Sequence, residues 1–290
     1  MNIKKFNGLI TSKKTQDYLN KILGEKKDTF ITTLTSLVSN NEKLQACEPI
    51  TVMYSALKAT ALSLPLDNNL GFAYVIPYGN QAQFQIGYKG FVQLALRTNK
   101  YKRINVTDVR AGEIVSHDRM TGELVFNWLD DTERAGVPVI GYMAYIQLLS
   151  GFEKSFFLTT KQLTNHAMKF SKSFQKGYGL WKDDLEAMAS KTVLKLLLSK
   201  YGILSIELGE AIKYDQSVIV EENTQKYIDN EIEIIDVEEN AREEEKTRIQ
   251  MFINKANKIK DLENIKLGLP IEHIDFFTPI IGNKIKTLKK

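Results

Sequence analysis

The dipeptide Gly79-Asn80 stands between two runs of strand-forming residues, Phe72 to Tyr78 and Gln81 to Ile86. A two-residue loop of this kind closes a β-hairpin and fixes its register. Tyr78 then faces Gln81, Ile76 faces Gln83 and Tyr74 faces Gln85. Because side chains alternate along a strand, Ala73, Val75, Pro77, Ala82, Phe84 and Ile86 share the opposite side. That side is apolar and is expected to be the core side. The polar side carries two tyrosines and three glutamines. Such groups suit a wet, flat, π-rich ligand, and base stacking on them contributes about 1–3 kcal/mol per base whatever the base. The same face equally fits a solvated strand whose tyrosines pack on a neighbouring element.

Helical patterns surround this hairpin. Phe30, Leu34, Leu37 and Val38 recur at helical spacing after Asp28, and a second helix follows Pro49 with Ile50, Met53, Tyr54, Leu57 and Ala61 on one face. Pro65 ends it, and a short apolar helix is expected from Lys89 to Arg97. Strands are predicted at Ile104–Arg110, Leu124–Trp128, Val139–Leu149 and Phe152–Leu158, followed by helices opening at Thr160 and running from Asp183 to Lys200. Strands grouped between helices, rather than alternating with them, predict an α+β fold in which β-hairpins form an antiparallel sheet packed against helices.

Charge divides the chain further. Residues 216–247 hold 11 acidic against 3 basic side chains, whereas residues 248–290 hold 9 basic against 4 acidic. The expected organisation is a main domain at 1–215, an acidic linker at 216–247 and a small helical C-terminal module at 248–290. The acidic block has a second reading, as a nucleic-acid mimic that inhibits its own domain. In the module Ile249, Phe252, Ile253, Ala256 and Ile259 keep helical spacing, with Leu262, Ile265, Leu267 and Leu269 beyond, around Pro270 and Pro279.

Much chemistry is excluded. Cys47 is the single cysteine, so there is no internal disulfide framework, and His117, His166 and His273 share no ligand spacing. The sequence holds no P-loop, dinucleotide fingerprint, HExxH or G-x-S-x-G. Asp130-Asp131 beside Glu133 fits a charged turn, and Asp183, Asp184 and Glu186 fit a helix N-terminus better than a metal triad. No run approaches a membrane span. A protein of the bacterial cytosol that binds rather than catalyses is the expectation.

The binding candidates are cationic. Gly87-Tyr88-Lys89-Gly90 turns a strand into a helix, where free N–H groups attract phosphate, although two glycines there also serve geometry alone. Arg97, Lys100, Lys102 and Arg103 follow with no acid among them, the footprint expected of backbone-tracking nucleic-acid binding. Residues 161–200 hold 8 lysines against 3 acids. There Lys169, Lys172 and Lys176 interleave with Phe170, Phe174, Tyr178 and Trp181, and Lys191 and Lys195 lie one turn apart on one stripe with Ala187.

Three long blocks, in order, carry a resemblance. The stretch from Leu64-Pro65-Leu66-Asp67 through Gly71-Phe72-Ala73-Tyr74 to Pro77-Tyr78, the stretch from Gln81 to Gly90 ending in Gln93-Leu94-Ala95-Leu96-Arg97, and a block from Lys169-Phe170-Ser171-Lys172 through Trp181 and Lys191-Thr192-Val193-Leu194 to Ser205 resemble the RecT family of phage recombinases. The resemblance implies an ATP-independent single-strand annealing protein without catalytic residues, metal or cofactor. Such a protein coats single-stranded DNA left by a partner exonuclease and pairs it with its complement, as a ring or helical filament with DNA in a positive groove. It places DNA contacts on Lys89, Arg97, Lys100, Lys102, Arg103, Lys172, Lys191, Lys195 and Lys200. Base-stacking candidates are Tyr74, Tyr78, Tyr88 and Trp181. Replacing Lys191 and Lys195 by Glu is then expected to abolish annealing and spare the fold. By analogy the C-terminal module docks a host single-strand-binding protein or the phage exonuclease; its other reading is a helix packed back on the main domain. Two alternative classes are an architectural or regulatory DNA binder that does not anneal, and a metal-dependent nuclease.

Overall fold

The computed structural model of the chain describes residues 3–67, 69–221, 224–227, 249–267, 269 and 274–288. The chain divides into two units, residues 1–231 and 232–290.

The first unit opens with α1 (Ile3–Thr11), α2 (Lys13–Leu23), α3 (Lys27–Ser39) and α4 (Glu42–Gln45), followed by α5 (Pro49–Ala61). Ser12 starts α2 by accepting from the Thr15 amide, and Asn41 starts α4 by accepting from the Lys43 and Leu44 amides. Phe6, Ile10, Leu19, Phe30, Leu34 and Val38 close on Val52 and Met53 of α5 and on Val75 and Ala82 of the hairpin, forming one of two cores in this unit. The hairpin is β1 (Ala73–Tyr78) and β2 (Gln81–Ile86), in the register fixed by Gly79-Asn80: Tyr78 opposite Gln81, Ile76 opposite Gln83, Tyr74 opposite Gln85. Ala73, Val75, Ala82, Phe84 and Ile86 are buried, as the alternation requires.

From β2 the chain enters α6 (Tyr88–Arg97), then β3 (Tyr101–Arg110), the ribbon β4 (Ile114–His117) and β5 (Leu124–Phe126), the single turn α7 (Asp131–Arg134), and the long hairpin β6 (Val139–Leu148) and β7 (Glu153–Thr159). Strands β3, β6 and β7 make a three-stranded antiparallel sheet; β4 and β5 pair only with each other. Helices α8 (Thr160–Phe170), α9 (Lys172–Gln175), α10 (Leu180–Asp183), α11 (Leu185–Tyr201) and α12 (Ile206–Tyr214) complete the layer. Thr159 and Gln162 form a capping box at the start of α8, and Asp184 caps α11 by accepting from the Ala187 amide. The acids around the start of α11 and the Asp130 cap of α7 are helix-starting groups.

α11 is the centre of the second core. Met188, Ala189, Val193, Leu194, Leu197 and Leu198 are all buried, packed with Phe84, Phe91, Leu94, Ala144, Ile146 and Leu163. A helix enclosed on nearly every side has no open stripe.

The expected end of the main domain at residue 215 is overturned. β8 (Ser217–Glu221) joins β2 antiparallel through Phe84 and Ser217, and β9 (Thr224–Tyr227) pairs with β8, giving the sheet order β1-β2-β8-β9. Ser217, Val218 and Ile219 are buried. A β-branched run within the acid-rich stretch adds strands to the hairpin sheet, so residues 216–221 and 224–227 are not linker. The rest of the expected linker, 228–247, lies outside the described residues.

In the second unit, residues 249–255 are helical and precede helices Ile259–Leu267 and Ile274–Leu288. Ile253, Ala256, Leu262, Phe277 and Ile281 form their core. Lys284 donates to the Ile253 and Asn254 carbonyls, capping the helical segment 249–255. Phe252, expected on the inner stripe, is 53% exposed, and Pro279 lies within the last helix. Pro270 is outside the described residues.

Candidate nucleic-acid interface

The nine expected cations divide into three kinds when the fold is in place. The first kind is structural. Asp215 follows α12 with its side chain wholly buried, and accepts from Lys191 at 3.0 Å, from Lys195 at 2.9 Å and from the Ile86 amide at 2.9 Å. One carboxylate thereby ties α11 to the end of β2. Burial pushes the Asp215 carboxyl up, but the two ammonium groups and the amide outweigh it and hold the carboxyl below its ordinary range. Burial also draws the Lys191 ammonium below its ordinary range, against the pull of Asp215. Lys191 is 7% exposed. The expectation that Lys191 and Lys195 meet phosphate from one stripe is corrected: a stripe one turn apart is equally what a buried ion-pair triad looks like in sequence. Arg97 is structural as well. Its guanidinium donates to the Leu62 and Ser63 carbonyls, at 2.6 and 2.8 Å, and so closes the C-terminal end of α5 just where Ser63 takes a φ of 52°.

The second kind is exposed and, among the described residues, makes no ion pair: Lys89, Lys100, Lys102, Arg103 and Lys200. A β-bulge explains why two adjacent cations point to water. Tyr101 is opposite Leu148 and Arg103 opposite Gln147, so Lys102 is an extra residue in β3. It shifts the alternation, leaving Tyr101 buried, Lys102 and Arg103 both exposed, and Ile104 and Val106 packed on the core. The Tyr101 hydroxyl accepts from the Ile203 amide and donates to its carbonyl. This tether brings the start of β3, with Lys100, Lys102 and Arg103, to the end of α11, with Lys200. Lys89 stands one α6 length away, roughly 15 Å for its 10 residues. Lys172, the third kind, is exposed at the start of α9 and has interactions of its own.

The aromatic candidates separate in the same way. Tyr74 and Lys89 meet over Gly71: a Cβ on that glycine would lie 3.3 Å from the Tyr74 hydroxyl and 3.6 Å from Lys89 Cδ. An expected ring and an expected cation thus lie beside the same glycine. Tyr78 is half-buried. Tyr88 packs against the second core and burial pushes its hydroxyl above the usual range, so its ring is turned inward. Trp181 is 6% exposed, with His166 at 5.9 Å between ring centres; a base cannot stack on it as the chain stands. Gln83, expected on the wet face of the hairpin, is fully buried and donates to the Gln216 carbonyl.

No local pattern announces the outer row of the three-stranded sheet. Arg103, Gln147 and Glu153 are neighbours across β3, β6 and β7, and Tyr145 donates to Glu153 at 2.6 Å. A ring therefore lies beside Arg103, together with an acid. Among the described residues no group of three or more His, Cys, Asp and Glu side chains is placed to hold a metal ion, and no helix is long and apolar enough to cross a membrane.

The fold defines an α+β protein in which helices carry antiparallel hairpins, with exposed cations at the start of β3. The RecT family model matches residues 28–234, which include both hairpins and all nine expected cations. The chain belongs to the RecT family, whose members are single-strand annealing proteins of DNA recombination rather than classical enzymes. It is 42% identical over 265 residues to the uncharacterized protein YqaK of Bacillus subtilis, covering 88% of this chain and 89% of that protein. It is 28% identical over 178 residues to protein RecT of Escherichia coli, covering 59% of this chain and 64% of that protein.

Proposed function

We propose that this protein binds single-stranded DNA without ATP and anneals it to a complementary strand. The observation that carries the reading is the group Lys100, Lys102, Arg103 and Lys200, exposed and without ion pairs among the described residues, in a chain of a family that anneals. Lys89 and Tyr74 extend it with a second cation and a ring, and Lys172 and Tyr78 are further candidates. Phosphates are neutralised by these side chains, while base edges are left free, so that specificity comes from base pairing. A homo-oligomer, ring or filament, joins these groups from copy to copy into a path. The protein acts in the cytoplasm of a bacterial cell, as a phage or prophage product, and residues 248–290 dock the partner exonuclease or a single-strand-binding protein.

The deciding experiment mixes complementary oligonucleotides with and without protein, in the absence of nucleotide, once without and once with a divalent metal. Accelerated duplex formation is expected. Binding without acceleration would favour an architectural role, and metal-dependent loss of labelled ends a nuclease.

A further inference from the structure

The three-stranded sheet has one face on the second core and one face away from it. Along β6, Tyr142, Ala144, Ile146 and Leu148 enter the core, so Tyr145 and Gln147 stand on the far face. The register puts Arg103 and Asn105 of β3 beside them on one flank, and Glu153 and Ser155 of β7 on the other. Side chains directly opposite have Cβ atoms about 4.5–5.5 Å apart, and diagonal neighbours are still within reach of a ring. Further along the same face Val109 and Met143 are buried. Here Arg103, Asn105 and Glu153 are exposed, and Tyr145, Gln147 and Ser155 are half-buried. The far face is therefore open at the end where β3 starts.

At the centre of this open end is an aromatic ring with a fixed attitude. The Tyr145 hydroxyl donates to Glu153 at 2.6 Å, a charge-assisted bond, and the Gln147 amide donates to the same carboxylate oxygen at 3.4 Å. The bond to Glu153 first, then burial and the carboxylate's charge, hold the hydroxyl above its ordinary range, while Arg103 pulls the other way. Charge is thus graded across the strands. A cation without an ion pair among the described residues stands on β3, the ring on β6 and an acid on β7. A polynucleotide laid here has its phosphates drawn toward β3 and repelled from β7, which turns its bases over β6.

We infer that Tyr145 is a base-stacking residue of the single-strand path and that Glu153 is its positioning residue. The inference rests on the proposed DNA binding and adds to it a ring that sequence reasoning did not pick out. Stacking engages the face of a base rather than its Watson–Crick edge, so a base held on Tyr145 stays available for pairing. A ring already tethered by its hydroxyl loses little freedom when a base covers it.

The test uses full-length protein with an oligothymidine and with an abasic oligomer of the same length and charge, read by fluorescence anisotropy. Tyr145→Leu is expected to weaken oligothymidine binding by about tenfold, with the salt slope and the affinity for the abasic oligomer as in wild type. Glu153→Ala removes a negative charge from the path, an effect that cancels in the ratio of the two affinities. That ratio is expected to fall when the ring is released, and Glu153→Gln, which still accepts from the hydroxyl, is expected to keep it. Circular dichroism and melting verify the fold of each variant. On the wild-type protein, which needs no substitution, irradiation of an oligonucleotide carrying 5-iodouracil is expected to attach it to Tyr145. A Tyr145→Leu protein that keeps the wild-type ratio, or loses equally on both oligomers, overturns the assignment, as does a crosslink that maps only elsewhere. An unchanged ratio in Glu153→Ala overturns the positioning role. If Arg103→Ala flattens the salt slope while the Tyr145 results fail, the DNA-binding reading stands without this ring; a wild type that binds neither oligomer removes both.

Discussion

Lys191 Nζ stands 3.0 Å from Asp215 Oδ1 inside the first unit, where the aspartate side chain has no exposure to solvent. Taking one partner from a buried pair leaves an uncompensated charge and costs about 3–5 kcal/mol, whereas replacing the whole set by apolar groups is often near neutral. Asp215→Ala is therefore expected to lower the unfolding free energy by about 3–5 kcal/mol. Lys191→Glu, which sets two carboxylates against each other, is expected to do at least as much harm. Lys191→Met with Lys195→Met and Asp215→Leu should recover most of it. Urea unfolding checks this; a Lys191→Glu protein with the wild-type midpoint would refute the pair. The sequence-based expectation that glutamates at 191 and 195 spare the fold is thereby reversed, and lost annealing in that variant reports lost structure.

The imidazole of His166 lies among Phe170 at 4.7 Å, Trp181 at 5.9 Å and two lysines. Burial first, then Lys195 and Lys169, lower it from 6.5 to about 4. The unfolded chain thus binds a proton that the folded chain refuses between those values. Stability from this group is fully present above pH 6.5 and is lost as pH falls toward 4, by about 3 kcal/mol in all. His166→Gln should flatten unfolding free energy across that window. An unchanged slope in the variant would assign the pH dependence to other groups.

What could be read in the sequence was what local rules decide. Gly79-Asn80 dictates the hairpin register because a two-residue loop leaves no other, and the strands Ile104–Arg110 and Val139–Leu149 announce themselves by β-branched and aromatic residues. Lys191 and Lys195 misled because their partner is 24 and 20 residues away in sequence and reaches them only in the folded chain. Yet the signal existed: in α11 the apolar residues surround the helix, so a lysine on it has nowhere dry to go without a counter-charge. β8 was obscured by its acidic neighbours, although Ser217-Val218-Ile219-Val220 is itself a strand pattern. The short helices α1 and α2 bury few residues each, Phe6 and Ile10 in one and Thr15 and Leu19 in the other, yet both are strongly amphipathic, so their signal was present in the sequence.

Gly87 shows how closely the hairpin sheet is folded onto the loop before it. A Cβ there would fall 2.1 Å from the Gly71 carbonyl oxygen and 3.0 Å from a Tyr74 ring carbon. No real Cβ tolerates the first distance, and the obstacle is backbone rather than a movable side chain. Gly87→Ala is expected to cost several times the roughly 1 kcal/mol of an ordinary helix-end substitution. It should also displace Lys89 from Tyr74. A thermal midpoint within a degree or two of wild type would contradict the close approach.

Arg97 and Arg103 are six residues apart and equally cationic, but only one of them is held by the protein. Arg97 gives two donors to the end of α5, so Arg97→Ala exposes those carbonyls and is expected to lower stability by about 1–3 kcal/mol. Its guanidinium is directed at the protein, so the salt dependence of single-strand binding should stay as in wild type. Lys102, the bulged residue, and Arg103 beside it both point to water, and neither makes an ion pair among the described residues. Replacing either by Ala should leave the melting midpoint alone. Each phosphate neutralised on a single strand contributes about −0.7 to the slope of log affinity against log salt. Arg103→Ala and Lys102→Ala should then each flatten that slope by about 0.7, and the pair by about twice as much. The comparison is made by fluorescence anisotropy of a labelled oligothymidine at several salt concentrations. If Arg97→Ala alone flattens the slope, while Arg103→Ala leaves it unchanged, the polynucleotide runs past the end of α5 and the proposed path is wrong.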